Sequence, residues 1–442
     1  MQKVVLHIFG LALMAIASHS APRLPLESYT LDNGMRIILH EDHSTPMVAA
    51  VTLFRVGSKD ELPGKTGFAH LFEHLMFKGS ANLPDGLMDR ILEEGGGWSN
   101  AFTTQDHTVY QNMAAANFLE AMLWMDGDRY ARLLEVFDLP KLDNQRDVVR
   151  NERRQGVDNV PYGQAPIIAQ EMLWPKDHGY HWDTIGYHED LQAASVDDVK
   201  AFYRKYYVPN NATMVIAGDF DPKAARAWVQ KYIAWIPRAA EPNRPKYSRP
   251  KPIPEEGRVV KTDKVQVPRV YLEWRAPASF SADEPALDLA AHILARGKTS
   301  RLYKRLVYDD KIAQDVRAFN NSAEIGGQFE IVATAKPGVA PEKLIAAISE
   351  ELKRFDESAP SPAELEQAQN SREAGFLTGL ESSLQRAIVI AFYDALAGNP
   401  NYLEQDLARY RNVTLRDVQG AVKNWLKPNA RIVMIFNPEE AK

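Results

Sequence analysis

Hydrophobic and polar positions along the chain change rhythm several times, and each change marks an element. Tyr29 to Leu39, YTLDNGMRIIL, places strand-forming residues on both sides of Asn33-Gly34, a dipeptide suited to hairpin turns. Val48 to Val56 is an apolar run that predicts a buried strand. Gly67 to Phe77 reads as a helix. Gly95-Gly96-Gly97 then breaks the chain, and Trp98 to Met113, rich in Thr, Tyr, Phe and Val with polar residues interleaved, reads as strands. Ala114 to Tyr130, Leu142 to Asp158 and Lys200 to Tyr207 have helical patterns, and Ala212 to Gly218 is a second buried strand.

Six prolines fall between Pro237 and Pro254 in a charged stretch, which predicts an extended linker between two halves of similar length. The halves repeat each other. ASVDDVKAFYRKYYVPNNATMVIAGDFDP closes the first and VTLRDVQGAVKNWLKPNARIVMIFNP closes the second. Asp198 matches Asp417 and Pro209 matches Pro428, each 219 residues on, and Ser195 and Thr414 both open a capping pattern. HLMFKG at His74 to Gly79 matches HILARG at His292 to Gly297, 218 residues on. Two distant segments repeating at nearly one offset predict duplicated α/β domains of about 200 residues each. The expected layout is a leader over 1–20, a first domain over 22–236, the linker over 237–254 and a second domain over 255–442.

The leader follows from composition. Lys3 precedes an apolar run from Val4 to Ala17, interrupted by His7 and Gly10, and small residues Ser18, Ser20 and Ala21 follow. This is the pattern of a secretory signal peptide. It predicts an exported protein, periplasmic if the source is Gram-negative, with no stable membrane insertion after cleavage. A net charge of −6 argues against a general nucleic-acid binder, and the absence of cysteine excludes disulfides and thiolate-bound zinc. Any zinc site must use histidine and carboxylate.

HLFEH, His70 to His74, meets that condition. Positions i and i+4 share one helix face, so His70 and His74 can present both imidazoles to one metal ion. Glu73, three residues from His70, leans over the same patch and can take a proton from a metal-activated water. This is the inverted form of the HEXXH zinc-protease motif. Three fixed residues in five arise by chance in roughly 1–2% of chains this long, so a third ligand must support the motif. No third histidine follows at helical spacing. A carboxylate from elsewhere is expected, with Glu152, Glu93 and Asp147 as the helical choices. In the second half Asp288 stands where His70 would and Ala291 where Glu73 would, so that copy cannot build the site. His292 reads there as a satisfied structural histidine.

Four stretches together carry a family resemblance: HLFEH, GGGWSNAFTTQDHTVY (Gly95 to Tyr110), QRDVVRNERRQGVDNVPYG (Gln145 to Gly163) and HWDTIGYHEDL (His181 to Leu191). On these the chain resembles the pitrilysin, insulin-degrading enzyme and mitochondrial processing peptidase group of zinc peptidases, over essentially its whole mature length. The resemblance implies two α+β domains, each a mostly antiparallel sheet packed with helices, and one zinc ion held by His70, His74 and Glu152. It implies that Glu73 is the general base of a zinc endopeptidase, and that Asn100-Ala101 lies on the substrate-binding edge strand. It places Gln145 where relatives often carry a glutamate that supports the ligands, so hydrogen bonding there is kept but a charge is lost.

Larger relatives enclose substrate between two such halves, the one without zinc supplying an arginine and a tyrosine. In RLVYDDKIAQDV, Arg305 to Val316, the matching positions are Val307 and Gln314, and Tyr308 and Arg317 are out of register. The chain therefore reads as the catalytic subunit of a heterodimer with a homologous two-domain partner that lacks HXXEH and carries the Arg/Tyr pair. A homodimer is the alternative architecture, and a non-catalytic scaffold or peptide-binding subunit the alternative function. The intact HLFEH with Glu152 weighs against the latter.

Overall fold

The computed structural model describes residues 24–247 and 251–439. The predicted signal peptide lies outside them. No helix among the described residues is long and apolar enough to cross a membrane. The first half contains strands β1 (Glu27–Thr30), β2 (Arg36–Glu41), β3 (Met47–Phe54), β4 (Trp98–Thr103), β5 (Thr108–Ala115) and β6 (Ala212–Gly218). Its helices are α1 (Phe68–Leu75), α2 (Leu87–Glu94), α3 (Leu119–Arg132), α4 (Leu139–Arg153), α5 (Ala165–Leu173), α6 (His188–Ala193), α7 (Val196–Tyr206) and α8 (Pro222–Tyr232). The second half contains β7 (Gly257–Asp263), β8 (Arg269–Ala276), β9 (Ala313–Ser322), β10 (Gly327–Ala335) and β11 (Ile432–Pro438). Its helices are α9 (Glu284–Ala295), α10 (Arg301–Tyr303), α11 (Pro341–Glu357), α12 (Pro362–Gly379), α13 (Ser383–Phe392), α14 (Leu403–Arg411) and α15 (Leu415–Trp425).

Each half forms one sheet. The first has strand order β1-β2-β6-β3-β5-β4 and the second β7-β11-β8-β10-β9. Once β1 is set aside the two orders are the same, and each sheet has one parallel pair, β2 with β6 and β7 with β11, among antiparallel ones. The duplication therefore holds at the level of topology. It holds in detail as well: Ser195 with Asp198 and Thr414 with Asp417 form complete capping boxes at the starts of α7 and α15. Gly79 and Gly297, paired by the repeat, both have φ of +83°.

The hairpin forms about Asn33-Gly34, with β1 and β2 antiparallel. Asn33 is buried, and its amide donates to the carbonyls of Ile233 (3.0 Å) and Ile236 (3.1 Å), tying the turn to the end of α8. One boundary differs from the sequence pattern. The helix predicted from Ala114 begins at Leu119, because β5 continues to Ala115 in full register with β3. The proline-rich segment forms no helix or strand in its described residues, yet it is anchored. Arg244 donates to Asp60 Oδ1 (2.6 Å) and Asn211 Oδ1 (2.6 Å), and Tyr247 OH donates to the Lys59 carbonyl (3.1 Å).

The halves also exchange helices. α5, from the first half, covers one face of the second sheet, with Ala165, Ala169 and Leu173 against Tyr271, Ile432 and Met434. α13, from the second half, covers the first sheet, with Ala387, Ile390 and Ala391 against Ile38, Val51, Val109 and Val215. Both helices begin at the repeat offset, Ala165 and Ser383 being 218 residues apart. His107 is buried in this contact, edge-on to Phe392 at 5.6 Å, and acts as packing. The halves are further joined where the Glu324 N–H donates to Asp106 Oδ2 (2.8 Å) and the Ile325 N–H to the Tyr180 hydroxyl (3.0 Å).

Candidate metal centre

α1 has two faces. Phe68, Leu71, Phe72 and Leu75, at i, i+3, i+4 and i+7, are buried against the first sheet and its helices. Burying each such side chain contributes roughly 1.5–3 kcal/mol. The opposite face carries His70, Glu73 and His74. Tyr110, from β5, donates its hydroxyl to the Phe72 carbonyl (3.2 Å) and so ties the helix to the sheet midway along the motif.

The start of α1 has no ordinary cap. Its N-cap is Gly67, with φ of +83° and no side chain to offer. Glu61, fully buried, accepts the N–H groups of Gly67 (2.9 Å) and Ala69 (2.8 Å) instead. Burial pushes the Glu61 carboxyl well above its ordinary range, and these two donors oppose that. The HWDTIGYHEDL stretch braces the same turn. Asp190 accepts the Thr66 N–H (3.1 Å) and hydroxyl (2.7 Å), and the Trp182 indole donates to the Ser58 carbonyl (2.9 Å). Gly186 abuts Gly67 so closely that a Cβ on it would lie 2.5 Å from the Gly67 Cα.

α4 packs against α1 and delivers Glu152 from its last turn. Three donor atoms then meet. His70 Nε2 and His74 Nε2 are 3.3 Å apart, and Glu152 Oε2 lies 3.7 Å from the first and 3.3 Å from the second. A tetrahedral zinc with bonds of about 2.0–2.1 Å separates its ligand atoms by roughly 3.3–3.4 Å. The triangle therefore fits a metal with three protein ligands and one open position, and it is the one such cluster among the described residues. Burial, aided by the neighbouring His74, lowers the His70 pKa to about 3, and burial also lowers that of His74 against the pull of Glu152. Both imidazoles are thus held neutral, as metal ligation requires.

Glu73 adjoins this triangle without being one of its corners. Burial raises its carboxyl to about 6, with a smaller push from Glu152, while the Thr103 hydroxyl, donating to Oε2 at 2.7 Å, works the other way. Thr103 is the last residue of β4, and nothing in the sequence singles it out. Its role depends on strand register, which brings the end of that strand beside α1.

β4 is an edge strand, paired only with β5. Gly97 leads into it where no side chain fits, since a Cβ there would lie 2.0 Å from the Met113 carbonyl oxygen. Asn100 and Ala101 follow, and Asn100 Oδ1 accepts the Ala101 N–H (2.9 Å). Gln145 is buried two turns before Glu152, but its amide donates to Asn144 Oδ1 (2.6 Å) and reaches none of the three donors. His70 Nδ1 is buried without a partner among the described residues. Glu93, on α2, and Asp147, on the α4 face that pairs with Arg150, take no part in the cluster.

With this geometry in view, two family models match the chain: one described as Insulinase (Peptidase family M16) over residues 36–161, the other as Peptidase M16 inactive domain over residues 193–372. The chain is 30% identical over 434 residues to the zinc protease PqqE of Helicobacter pylori, covering 95% of this chain and 96% of that one. A crystal structure of a protease from Helicobacter pylori matches with a TM-score of 0.88 and 27% identity, over 94% of this chain and 100% of the other. The first half of the periplasmic protease PqqL from Escherichia coli shares the fold, with a TM-score of 0.76 at 19% identity over 95% of this chain and 94% of the other. The chain belongs to the insulinase family of peptidases, peptidase family M16, in its two-domain form.

Proposed function

We propose that this chain is a zinc-dependent endopeptidase that hydrolyses peptides or unfolded protein segments, with its metal held by His70, His74 and Glu152. The observation that carries the reading is the triangle of donor atoms, 3.3, 3.3 and 3.7 Å on its sides, beside a buried carboxylate. Zinc bound there would supply Lewis acidity, polarising a peptide carbonyl and making a water acidic enough to attack it.

The chain's own residues do the rest. Glu73 accepts the water's proton and later returns it to the leaving amine. Thr103 occupies Oε2 of that carboxylate and leaves Oε1 for the proton. The outer edge of β4 lets an extended peptide add as a further strand at Asn100-Ala101, the incoming carbonyl replacing Asn100 Oδ1 on the Ala101 N–H. Gln145 supports the ligand helix by packing.

The site lies in one two-domain chain, and the second domain offers Val307 and Gln314 where the complementing Arg/Tyr pair is expected. Gln314 donates to the Ala335 carbonyl (3.0 Å). We place the chain as the catalytic half of a heterodimer, exported and periplasmic in a Gram-negative source. The test is cleavage of an unstructured peptide by the chain alone and with a homologous partner lacking HXXEH. Chelator-sensitive cleavage that appears only with the partner supports both parts of the reading. Full activity from the isolated chain contradicts the heterodimer, and no cleavage in either case contradicts the peptidase.

A further inference from the structure

The second half keeps a cavity where the first has its metal cradle. α12 packs on α9 as α4 packs on α1. At the repeat offset of 218, Asp288 stands for His70 and His292 for His74, and the helix equivalent to the one that delivers Glu152 here delivers Arg372. Between α9, α12 and β9 lies a cavity of about 510 Å³ lined by Asp288, His292, Arg296, Arg317, Asn320 and Arg372. His292 is thus not the satisfied structural histidine that the sequence suggested, because it faces this open space.

The charge of the cavity is inverted relative to a metal site. Arg301, Arg409 and Arg411 nearby are each in an ion pair. Arg296, Arg317 and Arg372 are not within 4.0 Å of any carboxylate among the described residues. Arg372 is held in place, its guanidinium 4.7 Å from the Tyr410 ring centre and 5.3 Å from that of Phe376. The one carboxylate present is already committed. Asp288 accepts from the Tyr410 hydroxyl (2.5 Å) and from the Asn320 amide (2.7 Å). Three guanidinium charges against one carboxylate repel a cation.

We propose that this cavity is an oxyanion-binding site, taking a small carboxylate- or phosphate-bearing ligand on Arg317 and Arg372. Guanidinium is the group whose planar fork matches the oxygens of both anions. The volume is that of a ligand site of about 300–1,000 Å³ and exceeds what a lone ion fills. The inference does not depend on peptidase activity.

Calorimetric titration of the full chain at low ionic strength, with inorganic phosphate in one arm and succinate in the other, tests it. Saturable binding of either probe is expected, and the preferred arm identifies the source of the anion. Arg372→Gln and Arg317→Gln should each weaken binding about tenfold or more. Arg416→Gln, on the exposed side of α15, should leave it unchanged. Arg317 is exposed on an edge strand, so its variant folds whether or not the half-buried Arg372 tolerates change. No saturable binding of either anion, or binding unaltered in both variants, overturns the proposal.

Discussion

Thr103 Oγ1 donates a 2.7 Å hydrogen bond to Glu73 Oε2, so the last residue of an edge strand fixes the orientation of the carboxylate beside the donor triangle. Thr103→Val keeps the shape and removes the donor. One such hydrogen bond to a charged acceptor is worth about 1.5–3 kcal/mol. Peptide cleavage by the Thr103→Val chain, assayed with its partner, should fall by roughly tenfold or more in kcat, with zinc content unchanged. An unchanged kcat would show that Thr103 does not position Glu73.

Glu61 replaces the missing cap of the motif helix. Glu61→Ala leaves the Gly67 and Ala69 N–H groups buried without partners. The expected loss of stability is about 2–4 kcal/mol, read as a lowered midpoint in urea. Zinc affinity should drop with it, because the turn that sets His70 loosens. A variant with wild-type stability would mean that the N-terminus of α1 is held by the Thr66–Asp190 contact alone.

The exchanged helices predict coupled halves. Ile390, on α13, is fully buried against the first sheet. Ile390→Ala should cost about 2–5 kcal/mol and lower a single calorimetric transition for the whole chain. Two separate transitions, only one of them shifted, would contradict the coupling.

Glu364 gives a pH dependence of defined sign. The Arg301 guanidinium, donating to both oxygens at 2.6 and 2.9 Å, holds its carboxyl down at about 2, with Ser361 adding to the effect. A depressed carboxylate stabilises the fold above its unfolded pKa, and that contribution is lost as pH falls from about 4.5 towards about 2. The group is partly exposed, so solvent screening limits the effect to about 0.5–1 kcal/mol. Glu364→Gln should be less stable than wild type at neutral pH and equal to it near the acid end. A difference that persists there would place the effect outside this ion pair.

What could be read from the chain was local. His70 and His74 were legible because i, i+4 spacing fixes a shared helix face without any tertiary knowledge. The capping boxes at Ser195 and Thr414 exposed the duplication for the same reason. Glu152 lies far along the chain, and only the family resemblance raised it above Glu93 and Asp147. Thr103 and Glu61 stayed hidden, since each acts across a tertiary contact that no spacing encodes. The exchange of α5 and α13 was hidden too, because a short apolar helix reads alike whichever sheet it covers. The strand β5 overran its predicted end because pairing with Met47 outweighed the helix-forming preference of Ala114 and Ala115.

Zinc content per chain tests the central claim most directly. Elemental analysis of purified wild type and of Glu73→Gln should give one zinc per chain in both, and Glu152→Ala should give essentially none under the same dialysis. Loss of zinc from Glu73→Gln would contradict the separation of base from ligands. Full zinc in Glu152→Ala would contradict the three-donor site itself.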